Sequence, residues 1–329
     1  MTTYHVDPNQ WTTPFSFTKT IHRDPYPFLS PEKAENRQEG KVIIVTGAGS
    51  GIGANSPQAA AKVWARAGAH GIVLVGRRLE RLQIVKTEIE ALNKDTIVLA
   101  VKCDIANESD VIALYAEVKK TFGRNADVLL NNAGALDDTK MFAEHGVEEY
   151  WRVYEINLKG LVIMLNHWIN SQEHTEKPVG TIITVLTGRV GVMVPKGSSY
   201  DVSKLAMQGL VQHVQAGMSS AANYALRSEL TVLIEYPTLR MFMTMPGIVK
   251  SEMSEEFWLP FAIDHADLTG LQALYFAQPR ADYLKGLITS VNWDHEVMEA
   301  HKEEIIEKKM LEMKWIPAIP FCGGEGLGA

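Results

Sequence analysis

From Lys41 onward the chain alternates short β-branched runs with amphipathic stretches, and this alternation restricts the fold more than any other feature. Val42 to Val45, Ile72 to Val75, Ile97 to Val101, Val128 to Leu130, Thr181 to Val185, Leu239 to Met245 and Leu287 to Val291 read as strands. Segments of helical character fall between them, including Val111 to Phe122, Glu148 to Ile169 and Ser203 to Met218. Strand–helix alternation builds parallel βαβ units. Right-handed crossovers then give an α/β fold with a doubly wound parallel sheet of about seven strands, whose ligand belongs at the strands' carboxyl ends. With 329 residues, 46% of them apolar, the chain can bury a full core.

The first strand runs directly into Thr46-Gly47-Ala48-Gly49-Ser50-Gly51-Ile52-Gly53, followed by a helical segment. That is the context a phosphate-binding loop requires. Glycines let the backbone approach a pyrophosphate, and helix-terminal N–H groups meet its charge. The plainer alternative is a tight turn with no ligand. A second signature lies about 150 residues on, in Ser198-Ser199-Tyr200-Asp201-Val202-Ser203-Lys204. On a helix, positions i and i+4 share a face, so the Lys204 ammonium can stabilise a Tyr200 phenolate and draw the phenol toward a useful pKa. Taken alone, such a pair is commonplace; after a glycine-rich phosphate loop it is not.

Together the two motifs resemble the short-chain dehydrogenase/reductase family in its Thr-Gly-x-x-x-Gly-x-Gly form, over about Lys41 to Asp294. The lead-in Phe17 to Pro31 and the segment running from Leu284-Lys285-Gly286 to Val291-Asn292-Trp293-Asp294 resemble the fungal natural-product branch. The resemblance implies a Rossmann-type domain and an NAD(P)-dependent oxidoreductase. Tyr200 would be the proton donor or acceptor, with Lys204 also binding the nicotinamide ribose. Asn157 would hold a water linking Lys204 to solvent. Thr187, thirteen residues before Tyr200, stands where the family usually has serine; its hydroxyl can bond a substrate oxygen, while its methyl narrows the pocket.

For the nucleotide, the resemblance implies Gly47, Ser50, Gly51, Ile52 and Gly53 at the phosphates, and Asp104 with Ile105 at the adenine. Asn131, Ala133 and Gly134 would border the nicotinamide ribose, and Pro246, Gly247, Val249 and Ser251 the carboxamide. Several of these keep a structural alternative: Asp104 as a helix cap, Asn131 as a turn residue, Pro246 to Ser251 as a plain turn. After the second strand, Val75-Gly76-Arg77-Arg78 lacks the acid that would take a ribose 2′-hydroxyl, and Arg77 offers a fork for a 2′-phosphate. NADP(H) is therefore expected, with NAD(H) left open should both arginines lie on a solvated turn.

Residues 1–40 carry Trp11, Phe15, Phe17, Tyr26 and Phe28 among prolines without a period, and read as an extended arm packing on the domain of residues 41–329. Phe257 to Phe261 sit where the family has its substrate lid (about 252–266) and point to an apolar, bulky small molecule; core packing is the alternative. A closing helix is expected over about 294–314. Two departures from the family pattern are extra residues, at Ala54 to Gln58 and between Gly217 and Val232. The second leaves a homodimer or homotetramer unsettled. Thr187 and these insertions keep a non-redox isomerase or cyclase open; Tyr200, Lys204 and Asn157 together speak against a nucleotide-binding protein without catalysis. A net charge of −7, with no Lys/Arg cluster to override it, argues against a nucleic-acid partner. Two cysteines without Cys-x-x-Cys, no metal-ligand spacing, and no signal or membrane segment lead to an expectation of a soluble, cytoplasmic, metal-free protein.

Overall fold

The computed structural model describes residues 6–49, 56–137, 139–192, 194–215, 236, 238–250 and 256–312. Its strands are β1 (Val42–Thr46), β2 (Gly71–Gly76), β3 (Ile97–Lys102), β4 (Val128–Asn131), β5 (Gly180–Val185), β6 (Leu239–Met245) and β7 (Ile288–Ser290). All pair in parallel, in the order β3-β2-β1-β4-β5-β6-β7. This is the expected Rossmann-type sheet, and its order reverses between β1 and β4, where such folds bind ligands.

The helices are α1 (Ser56–Arg66), α2 (Leu79–Leu92), α3 (Glu108–Phe122), α4 (Val147–Tyr154), α5 (Gly160–Asn170), α6 (Ser198–Gln215), α7 (Asp267–Phe276), α8 (His295–Ala300) and α9 (Lys302–Glu307). Side chains alternate across a strand, so β1 feeds two cores. Ile43 and Val45 join Trp64 of α1, Leu82 and Val85 of α2 and Leu274 of α7; Val42 and Ile44 join Leu114 of α3, Met164 of α5 and Val211 of α6. All of β1 is buried, which is why a central parallel strand reads as an unbroken apolar run.

Two expected helices differ in detail. The stretch Glu148 to Ile169 is not one helix: a π turn, Glu155–Lys159, separates α4 from α5 and carries Asn157. The tail after Asp294 forms two short helices rather than one. Asp294 caps α8 by accepting from the Glu296 and Val297 N–H groups, and His301 leaves helical geometry before α9 begins. Lys314 and Met218, expected helix ends, lie outside the described residues, as does the segment 217–232.

The arm is extended, with short 3₁₀ turns at Thr13–Phe15, Pro27–Leu29 and Ala34–Asn36. Phe28 and Leu29 enter the core, and Ile21 pairs antiparallel with Trp293 beyond β7. Arg23 Nη1 lies 2.8 Å from Asp264 Oδ1, and its guanidinium also donates to Asn9 Oδ1. Among the described residues no helix is long and apolar enough to cross a membrane.

Candidate active site

Thr46 ends β1 and ties its turn to the end of β4. Its hydroxyl accepts from the Asn132 and Ala133 N–H groups at 3.0 Å, and Asn132 Nδ2 donates to the Thr46 carbonyl. Gly47 follows at φ +71°, where an added Cβ would stand 2.9 Å from Ala133 Cα. Glycine is therefore required at Gly47 twice over, by conformation and by space. Ser50, Gly51, Ile52 and Gly53 lie outside the described residues. Asn131 is buried at the end of β4, and its Nδ2 has no acceptor among the described residues.

At the ends of the neighbouring strands, Arg77 is exposed after β2. Asp104 follows β3 and accepts from the Ala106 N–H. The cap of α3 is Asn107, which accepts from the Ser109 N–H, so the alternative reading of Asp104 as that cap is corrected. Ile105 is buried, its side chain facing Gly160 at the start of α5.

Tyr200 and Lys204 lie on one face of α6, with Lys204 Nζ 5.7 Å from the Tyr200 ring centre. Lys204 is buried, and its Nζ donates to the Val185 carbonyl at 2.9 Å. Burial pulls its pKa down to about 8. Burial likewise pushes the Tyr200 phenol up to about 12, opposed by the charge of Arg189 and by a hydrogen bond with the Thr187 side chain. Arg189 is thus a second cation at the phenol, besides the Lys204 to which the sequence points. The Arg189 guanidinium sits 5.5 Å from the Tyr200 ring centre and pairs with Asp201, Nε to Oδ1 at 2.8 Å. Only its place two residues after Thr187 hinted at this.

Asn157 holds the surroundings in register. Its Oδ1 accepts from the Ala135 N–H at 2.7 Å, while Nδ2 donates to the Ala135 carbonyl and to Ser203 Oγ. Ser203 Oγ donates in turn to the Tyr200 carbonyl. The amide is thus committed to the β4 loop and to α6. Gly134 adjoins both groups: a Cβ there would lie 3.3 Å from Asn157 Oδ1 and 3.5 Å from Lys204 Nζ.

Thr187 and Tyr200 open onto a cavity of about 570 Å³, which Gly247 and Val249 also line. Gly247 has φ +76°, and a Cβ there would come 2.4 Å from Asp264 Oδ2. That same oxygen accepts from the Ile248 N–H. Of the lid residues, Trp258 lines the cavity and Phe261 is buried, whereas Phe257 and Leu259 are exposed. Pro246 precedes this turn; Ser251 lies outside the described residues.

A family model for short chain dehydrogenase matches residues 41–259. The chain belongs to the short-chain dehydrogenases. Among its relatives is short chain dehydrogenase mpl6 of Monascus purpureus, 29% identical over 314 residues that span 92% of this chain and 97% of the relative. Short chain dehydrogenase andI of Emericella variicolor is 27% identical over 307 residues, 90% and 95% of the two chains. The expected likeness to fungal members of the family is thus borne out. A solved short-chain type dehydrogenase/reductase from Mycobacterium marinum superposes with a TM-score of 0.64 at 21% identity, covering 78% of this chain and 95% of that one. At that identity the likeness speaks for the fold. As a short-chain dehydrogenase the protein is an oxidoreductase. The match begins at residue 41, so the arm lies outside it.

Proposed function

We propose that the enzyme interconverts a carbonyl and a secondary alcohol on an apolar, bulky small molecule, with NADP(H) as hydride carrier. The observation that carries this reading is that Thr187 and Tyr200 line one cavity, with the buried Lys204 Nζ 5.7 Å from the Tyr200 ring centre. Gly47 and the unmatched Asn131 amide support a dinucleotide at the β1–β4 reversal. Gly47, Asn131, Ala133 and Lys204 would hold it on one side and Gly247 and Val249 on the other, with Asp104 and Ile105 toward the adenine.

When bound, the nicotinamide supplies or takes the hydride; the chain handles the proton. Thr187 holds the substrate oxygen beside Tyr200 Oη, which protonates it in reduction and removes its proton in oxidation. Lys204 keeps a positive charge behind the phenol, and Asn157 fixes the loop through which the β4 end meets α6. The aromatic lining favours an apolar substrate of the secondary-metabolite kind.

The cofactor assignment rests on Gly76 and Arg77. A Cβ at Gly76 would meet Leu82 Cδ2 at 3.4 Å and Gly49 N at 3.7 Å, ordinary contact distances, so a Cβ is tolerated beside the glycine turn. One charge-assisted bond from Arg77 to a 2′-phosphate is worth about 1.5–3 kcal/mol, or roughly a ten- to hundredfold preference for NADP(H). Replacing Gly76 by Asp and Arg77 by Ile should reverse it. Titration of both nucleotides at one salt concentration, with the 340 nm absorbance followed over a panel of apolar ketones and alcohols, tests cofactor and reaction together. Tighter NAD(H) binding by the wild type refutes the first; no nicotinamide turnover across the panel refutes the second.

Arg189 gives a test through pH. Arg189→Met removes the cation beside the phenol and leaves Asp201, raising the Tyr200 pKa further, on the order of one unit for a charge at this separation. A higher pKa means less phenolate at a given pH. The pH profile of alcohol oxidation should therefore move to higher pH in the variant. An unmoved profile would show that Arg189 does not act on Tyr200.

A further inference from the structure

We infer that the N-terminal arm is a wall of the substrate cavity, and that Trp11 on it selects a flat aromatic ketone. The inference rests on the proposed carbonyl chemistry only for placing the ketone at Tyr200.

Trp11, Thr12 and Phe15 line the same cavity as Thr187 and Tyr200, although they precede Tyr200 by well over a hundred residues and fall outside the family match. Trp11 is fixed in orientation. Its ring meets Trp258 edge-on at 5.5 Å, and Phe257 and Phe261 at 6.5 Å each. Trp293, also on the cavity, packs on Phe17 of the arm at 5.5 Å. A pocket lined by the rings of Trp11, Phe15, Trp258 and Trp293 besides that of Tyr200 favours a conjugated, planar ligand, since aromatic pairs add to plain area burial.

Three tryptophans, Trp11, Trp258 and Trp293, line the cavity. Trp293 Nε1 donates to the Phe15 carbonyl at 3.2 Å. Trp11 Nε1 is buried with no acceptor among the described residues. A buried donor left unmatched costs about 1–3 kcal/mol, and a phenylalanine at Trp11 would avoid that cost while keeping an aromatic face. That donor has no surface on the cavity, so what Trp11 offers a ligand is the apolar surface of its ring. The cavity, about 570 Å³, is of a size for a small organic molecule.

The arm is also held in register with the reacting centre. Arg23 binds Asn9, two residues before Trp11, and Asp264; Asp264 in turn accepts from the Ile248 N–H and from Asn292 Nδ2, and both Ile248 and Asn292 line the cavity. The wall is therefore fixed to the same carboxylate that positions the cavity's opposite loop.

The test uses the full chain as wild type, Trp11→Phe and Trp11→Ala. Three probes are 2-acetylnaphthalene, 6-methoxy-2-acetylnaphthalene and cyclohexyl methyl ketone. Their dissociation constants are measured by equilibrium dialysis with and without NADP, alongside kcat and KM for reduction. NADPH affinity, followed by its fluorescence, and circular dichroism report on the nucleotide site and the fold. The wild type should bind both naphthyl ketones more tightly than the cyclohexyl ketone. Trp11→Ala should weaken both by about tenfold, as loss of an aromatic pair and its buried area implies, and the cyclohexyl ketone by distinctly less. Trp11→Phe, which keeps an aromatic face at this wall, should leave both naphthyl ketones nearly unchanged. Equal weakening of all three probes, or no preference for the naphthyl ketones in the wild type, overturns the assignment. Probes that bind as expected but are never reduced would leave Trp11 standing and sink the redox reading instead.

Discussion

Tyr200→Phe should lower turnover by about 10²–10⁴-fold, the range for a lost general acid–base group, with nucleotide affinity nearly unchanged. The substitution removes one oxygen. The ring that Arg189 and Lys204 approach at 5.5 and 5.7 Å stays in place, and so do the Ser203 and Asn157 bonds that fix its backbone. What disappears is the phenol that burial holds near a pKa of about 12 and that the Thr187 side chain touches. Single-turnover measurement at saturating substrate isolates this step from binding. A variant with wild-type turnover would take the proton away from Tyr200 and leave the cavity in need of another donor.

Arg23→Met should destabilise the fold by about 3–5 kcal/mol, the usual effect of removing one partner of a buried ion pair. The pair is well enclosed, with 14% of the Arg23 side chain and none of the Asp264 side chain exposed. Burial already holds the Asp264 carboxyl above its usual range, against the pull of Arg23; without the guanidinium it rises further. The sign with pH follows. A carboxyl whose folded pKa exceeds the unfolded one is neutral in both states at low pH and contributes no penalty there. The penalty grows as pH climbs from the unfolded pKa to the folded one. Urea unfolding at pH 5 and pH 7.5 should show the gap between wild type and variant narrowing at the lower pH. An equal gap at both would mean that Arg23 acts through packing alone.

The sheet was legible because its strands are parallel and covered on both faces: Val42, Ile43, Ile44 and Val45 must all be apolar to fill two cores. Tyr200, Lys204, Asn157 and Thr187 were legible as a spaced set, since each chemistry needs a particular side chain at a particular offset. The π turn at Glu155–Lys159 was not, because α4 and α5 on either side keep a helical apolar pattern that hides one widened turn. Arg189 was named by no motif; its closeness to Tyr200 comes from the 3₁₀ turn Gly188–Gly191 folding toward α6. The break at His301 fell within a stretch whose charges and apolar residues suit one helix as well as two. The arm showed its aromatic residues plainly but not their destination, since Trp11 reaches Trp258 only through the tertiary fold.

The pairing of Ile21 with Trp293, and of His22 with Asp294 across 272 residues, has a meaning for how the protein comes into being. On the ribosome the arm emerges before the elements that receive it. At roughly 5–20 residues per second, Trp11, Phe15 and Phe17 spend on the order of ten seconds or more without the Trp258 and Trp293 rings they finally meet. Closing so long a loop is slow, and in that interval the aromatic residues are open to wrong partners. The cavity is therefore among the last features a nascent chain acquires, and a polypeptide whose sheet has formed as far as β6 is still without its substrate site.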